Sequence, residues 1–154
     1  MTRRLLCLVV SLMSVLIVVS VRNASAQAPN PHQRIARAIR LIRSSRGANA
    51  QVDAAQGLRN TVLATDPTTV DDETVHSIAS LLEFRNDAIR YWTAEALAHF
   101  GVRAKFAAPK LRAILDEREC AVAETSSVSM IRDTLERIGE PAPERKCDHY
   151  ILPK

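Results

Sequence analysis

The sequence predicts an all-α protein, and three observations carry that expectation. Ala, Leu, Arg and Glu are prominent beyond residue 26, and all four are strong helix formers. Apolar residues recur at steps of three and four in one segment after another, while no stretch alternates apolar with polar over strand length. Glycine occurs only at 47, 57, 101 and 139, and three of these four stand where an apolar periodicity stops.

The first 26 residues are set aside from the fold. Arg3 and Arg4 make a positive start, and Leu5 to Val21 is an apolar run broken only by Ser11, Ser14 and Ser20. Ala24-Ser25-Ala26 then supplies the small-x-small pattern of a secretory cleavage site, which predicts a cut between Ala26 and Gln27. The run is short for a spanning helix, which needs about 20 apolar residues; an uncleaved anchor is the other reading. The expected location is periplasmic or secreted. Residues 27–154 then form a single domain, long enough to bury a real core.

Six helices follow in order. Asn30 is placed to cap the first and Pro31 to occupy its first turn. Ile35, Ala38, Ile39 and Ile42 make one apolar seam, and Gly47 is expected to close the helix. The second runs from about Gln51 to Ala64, with Val52, Ala55, Leu58 and Val62 on one side; Gly57 weakens it by about 1 kcal/mol. "TDPTTVDD" reads as a loop into a third helix seamed by Val75, Ile78 and Leu82. Asn86 caps the fourth, where Ile89, Trp92, Thr93, Ala96, Leu97 and Phe100 share a face. Gly101 ends it in a left-handed conformation. A fifth helix begins near Pro109 and buries Leu111, Ile114 and Leu115. The sixth, about Ser126 to Ile138, buries Ile131, Thr134, Leu135 and Ile138 before Gly139 and Pro141 stop it. An irregular C-terminal tail follows, residues 141–154.

Two of these helices repeat a phrase. Aligning Gly101 on Gly139 sets Phe100 on Ile138, Leu97 on Leu135 and Ala96 on Thr134, thirty-eight residues apart. The helices before them repeat too: Ile78 falls on Leu111, and Leu81-Leu82 on Ile114-Leu115, thirty-three residues apart. Repeated helix pairs of this period are the signature of a solenoid, because no pair hides its apolar stripe alone.

"NDAIRYWTAEALAHFG" at 86–101 resembles the first helix of a HEAT repeat, of the short kind also seen in phycobilin lyases. Asn86, Ile89-Arg90, Ala94, Glu95-Ala96-Leu97 and Phe100-Gly101 match that family's phrase position by position. "AAPKLRAILDE" at 107–117 resembles the second helix of the pair. Residues 127–139 match less closely, since Ser127-Val128 stands in place of the Val-Arg pair. The resemblance covers residues 70–140, and residues 27–69 are divergent N-terminal helices. It implies a short right-handed solenoid of helical hairpins. In such arrays the second helices line the concave face, which makes Ser77, Ser80, Lys110 and Ala113 candidates for a partner surface.

Cys120 and Cys147 are the two cysteines beyond residue 26. In an exported chain they suggest one disulfide. Both lie outside the repeated phrases, so a bond between them would tie the tail over the end of the array. It would contribute about 3 kcal/mol in the chain-entropy model.

Charge is polarised along the chain. Removing Arg3, Arg4 and Arg22 leaves 18 basic against 17 acidic residues, a net of +1. Residues 27–64 carry six Arg against Asp53, while residues 65–154 carry 12 basic against 16 acidic. Arg34, Arg37 and Arg40 face away from the isoleucine seam, and Arg43 flanks it. They offer an anion-binding surface for lipid, polyanion or acidic protein; the plainer reading is a solvated outer face. Nucleic acid is disfavoured by export and by the lack of interleaved aromatics.

No catalytic, cofactor or metal site is expected. His32, His76, His99 and His149 do not fall at metal-ligand spacings. The His-Glu pairs of HEAT-like deoxyhypusine hydroxylases do not occur, and neither does a nucleophile elbow or a phosphate-cradling glycine loop. Cys147-Asp148-His149 fits a disulfide-anchored tail better than a thiol or metal site. The expected function is a non-catalytic protein- or peptide-binding scaffold. The first alternative is binding of an anionic membrane surface or polyanion through the Arg-rich first helix. The second is an enzyme accessory factor or small hydrolase.

Overall fold

The computed structural model describes residues 30–118 and 127–144. The expected leader, its expected cleavage site at Ala26 and Gln27, both Cys120 and Cys147, and the tail beyond Glu144 lie outside the described residues. Those described hold six α-helices, three 3-10 segments and no strand.

Helix α1 is Pro31–Ser44. Asn30 Oδ1 accepts the His32 N–H at 3.1 Å, and Ile35, Ile39 and Ile42 are buried. It does not run to Gly47. The Ser45 hydroxyl donates to the Leu41 carbonyl at 2.7 Å and Ser45 turns extended, which ends the helix there. Gly47 instead takes φ +108° directly before α2, Ala48–Leu63. A left-handed residue at this point reverses the chain within three residues, so α2 begins three residues earlier than expected. Ala55, Leu58 and Val62 form its buried stripe.

The link to α3 is ordered. Pro67–Thr69 is a 3-10 turn capped by Asp66, and Val70, read from sequence as a loop residue, is buried in the core. Helix α3 is Asp72–Ala79, capped by Asp71, whose carboxylate accepts the Thr74 N–H at 2.7 Å. It tightens into a 3-10 turn, Ser80–Glu83. Leu81 and Leu82 of that turn are both fully buried.

Helix α4 is Asp87–Ala98. Asn86 caps it, accepting the Ala88 and Ile89 N–H groups at 3.0 and 3.2 Å. Gly101 is left-handed as expected, φ +54°. The chain does not break there, however, but continues as a 3-10 segment, Gly101–Ala107, into α5, Ala108–Arg118. Ala104 and Ala107 of that segment are buried, and their small side chains let it lie against its neighbours.

Helix α6 is Ser127–Arg137. Gly139 ends it at φ +79°. The Glu140 N–H donates to Leu135 O at 2.8 Å and the Gly139 N–H to Glu136 O at 3.1 Å, the paired bonds of a Schellman motif. The two glycines aligned by the repeat therefore end their helices differently.

Helix α4 packs against α2 on one side and α6 on the other. Helix α1 rests on α2 and α3, α3 also touches α4, and α5 packs on α6. The Gly101–Ala107 segment reaches α3, α4, α5 and α6. One apolar cluster runs through all of this. The aligned pairs Phe100 and Ile138, Leu97 and Leu135, and Ala96 and Thr134 are all buried.

Trp92 departs from expectation: it is half-buried, at the margin of the core rather than its centre. The Thr134 hydroxyl lies 3.0 Å from the Ala94 carbonyl, so α6 approaches α4 over a residue with one methyl. Ala94, Ala96 and Leu97 are fully buried, while Trp92 lies toward α2, where the Arg59 guanidinium stands by its ring.

Candidate binding surface

Most charged side chains on α2 to α6 hold one segment to another. Arg59 on α2 pairs with Glu95 on α4, and its guanidinium stands 5.8 Å from the centre of the Trp92 ring. The hydrogen bond to Glu95 raises the Arg59 pKa above its ordinary value. Arg90 is buried; its Nε donates to the Phe84 carbonyl at 2.7 Å and its Nη1 to Glu117 at 3.2 Å. Arg103 clasps the link between α2 and α3, donating to Pro67 O and Val70 O, both at 2.6 Å, and to Asp72.

At the other end, Glu140 accepts from Lys105 at 3.0 Å and from Arg112. Those two bonds lower its pKa. Arg112 also reaches Pro141 O, and Arg132 donates to Pro143 O. The first residues of the tail thus lie against α5 and α6, and Ala142 packs on the core.

The arginines of α1 are placed differently. Arg34, Arg37 and Arg40 are exposed, and their guanidinium groups have no partner among the described residues. Leu41 lies between Arg34 and Arg37 on the same outward arc, and it is 50% exposed. Arg43 is the exception: its Nη2 donates to the Ser80 hydroxyl at 2.7 Å.

The four residues expected on a partner surface separate into two kinds. Lys110 and Ala113 are exposed on α5. Ser77 and Ser80 are half-buried, and Ser80 is engaged twice, by Arg43 and through its own hydroxyl to Ser77 O at 2.6 Å. Ser80 therefore ties α1 to the turn after α3.

Sequence reasoning missed the feature between them. His76 of α3 and Phe106 stack with ring centroids 3.6 Å apart and an interplanar angle of 23°. Both are exposed, Phe106 at 39%. His76 is one helical turn before Ser80, and Lys110 and Ala113 follow Phe106 by four and seven residues. Phe106 belongs to no α-helical seam, because it rides on a 3-10 segment whose pitch differs; the sequence periodicity holds no signal for it.

The remaining histidines are dispersed. His32 Nδ1 lies 3.1 Å from Asp71 and 3.2 Å from the Thr74 hydroxyl, and His99 Nε2 lies 2.9 Å from Thr65 O. Among the described residues no group of three or more His, Cys, Asp or Glu side chains is arranged to hold a metal ion. No described helix is long and apolar enough to cross a membrane. Compared with protein-family models, curated proteins and solved structures, the chain matches none.

Proposed function

We propose that this chain is a non-catalytic scaffold that binds a protein or peptide in an exported setting. In this reading its hairpins form a short right-handed solenoid of the HEAT-like kind. Helices α2, α4 and α6 make one row, and α1, α3 and α5 the row that meets the partner.

The observation that carries the reading is the exposed His76–Phe106 stack. A large aromatic side chain left 39% exposed forgoes about 1 kcal/mol of burial. Held in place by a second ring, it is pre-organised as an anchor of the sort that dominates interface energetics. Lys110 and Ala113, exposed on the helix that follows, offer a charge and a small residue to the same partner. The buried or paired arginines, Arg59, Arg90 and Arg103, join helix to helix and so support a rigid platform.

The test is a pull-down from envelope extract of the source cell, with wild-type and Phe106→Ser protein side by side. One partner retained by the wild type at high salt, and weakened about thirtyfold by Phe106→Ser, is expected for an aromatic anchor. Circular dichroism checks that the variant keeps its helices. A partner held equally well by Phe106→Ser would overturn the reading, as would substrate turnover by the purified chain.

A further inference from the structure

We infer that the outer face of α1 docks on the surface of an anionic phospholipid bilayer. The face is fixed by the fold. Ile35, Ile39 and Ile42 are buried against α2 and α3, so the opposite side of a 14-residue helix must look outward. At about 100° per residue, Arg40, Arg37, Leu41 and Arg34 spread over an arc of about 120° there.

Three observations select this occupant. Residues 30–52 contain five Arg and no Asp or Glu, and the carboxylate that reaches α1, Asp71, lies against His32 rather than against an arginine of the arc. The guanidinium groups of Arg34, Arg37 and Arg40 find no partner among the described residues, whereas Arg59, Arg90, Arg103, Arg112 and Lys105 each find one. The arc is also convex and carries Leu41, half exposed, between two arginines. Such a face meets a plane of phosphates with all three cations at once while Leu41 enters the acyl boundary. An acidic peptide laid along it would reach only part of the arc.

The chain before the structure points the same way. The apolar run Leu5–Val21 ends nine residues before Asn30. A chain that keeps that run holds α1 within roughly 30 Å of a bilayer. A chain that loses it still delivers α1 across a membrane as its first folded element. With the isoleucine seam occupied inside the protein, Leu41 is the one large apolar side chain on the arc. Binding is therefore peripheral, fast and salt-sensitive rather than an insertion.

The experiment is vesicle flotation with protein purified from expression of the full chain, whichever N-terminus the cell leaves. Vesicles of phosphatidylcholine alone are compared with vesicles that also contain phosphatidylglycerol. Any retained apolar run partitions into both, so the difference between them reads α1. The expected result is a clear preference for phosphatidylglycerol that disappears at high salt. Each of Arg34→Gln, Arg37→Gln and Arg40→Gln should weaken the anionic partition about fivefold, and Leu41→Ser should weaken it further. Arg34, Arg37 and Arg40 make no tertiary contact through their guanidinium groups, so the melting temperature of these variants should match the wild type. Equal partition into the two lipids would overturn the proposal, and so would an undiminished preference in the triple Gln variant. Tight binding to polyglutamate with no affinity for phosphatidylglycerol vesicles would assign the face to an acidic polypeptide instead. None of these outcomes depends on Phe106, so this proposal and the scaffold reading fail separately.

Discussion

Thr93 and Thr134 sit on neighbouring helices, both fully buried, yet their hydroxyls live differently. Thr134 Oγ1 lies 3.0 Å from Ala94 O on α4 and 2.7 Å from Met130 O on its own helix. Thr93 Oγ1 has no partner among the described residues. A buried hydroxyl without a partner keeps its desolvation cost, whereas a bonded one contributes about 1 kcal/mol net. The isosteric change to valine should therefore have opposite signs at the two sites. Thr134→Val should lower stability by about 1 kcal/mol, and Thr93→Val should leave it unchanged or raise it by about as much. Urea denaturation of the two variants reads both numbers on one scale. Destabilisation by Thr93→Val would mean that the hydroxyl is satisfied after all.

Between elements, the start of α6 is secured from outside. Asp87, the first residue of α4, accepts the Ser127 N–H at 3.1 Å and the Ser127 hydroxyl at 2.5 Å. Helix α4 thus supplies acceptors to the first backbone N–H of α6 and to the hydroxyl of the same residue. Asp87→Ala leaves a buried N–H and hydroxyl unpaired at Ser127, which costs about 1–3 kcal/mol. Amide exchange should accelerate first in the opening turn of α6. The double variant with Ser127→Ala should lose less than the sum of the single changes, and strict additivity would dismiss the contact. This contact was invisible in the sequence, because residues forty positions apart meet only through the α4–α6 packing.

What was legible at this scale is what local chemistry decides. Asn30-Pro31 and Asn86 announced two helix starts, and the three-and-four spacing of Ile35, Ile39 and Ile42, or of Leu111, Ile114 and Leu115, announced the buried faces. What escaped depended on tertiary neighbours or on a change of pitch: the 3-10 segment after Gly101, the inward turn of Val70, and the retreat of Trp92 to the margin. Of the candidate surface, the exposure of Arg34, Arg37 and Arg40 followed from periodicity, and Lys110 and Ala113 were implied by the resemblance to a HEAT repeat. The engagement of Ser80 by Arg43 and the His76–Phe106 stack did not, since each joins segments that periodicity treats one at a time.

At the scale of the whole molecule, acid should act through three carboxylates among the described residues. Thr68 lowers the pKa of Asp66 through its hydroxyl and then its N–H, and the Thr74 N–H does so for Asp71. Lys105 and Arg112 lower that of Glu140. A folded pKa below the unfolded one means that the native state binds fewer protons. The stability these groups contribute is then complete above the ordinary carboxylate range and lost as pH falls through their lowered values. The melting temperature should hold from neutral pH to about pH 4 and decline below it. Asp71→Asn keeps a capping side chain but cannot titrate, so it should melt near the wild type at neutral pH and lose less on acidification. An acid limb as steep as the wild type's would place the sensitivity elsewhere.

The seating of α1 has a consequence for how the molecule comes apart. It rests chiefly on α2 and α3, whereas α4 is gripped on both flanks and the Gly101–Ala107 segment binds four neighbours at once. An opening at that margin should therefore leave the remaining helices assembled. Whatever grips α1 would act as a clamp on that lip of the protein, slowing proteolysis there without touching its centre.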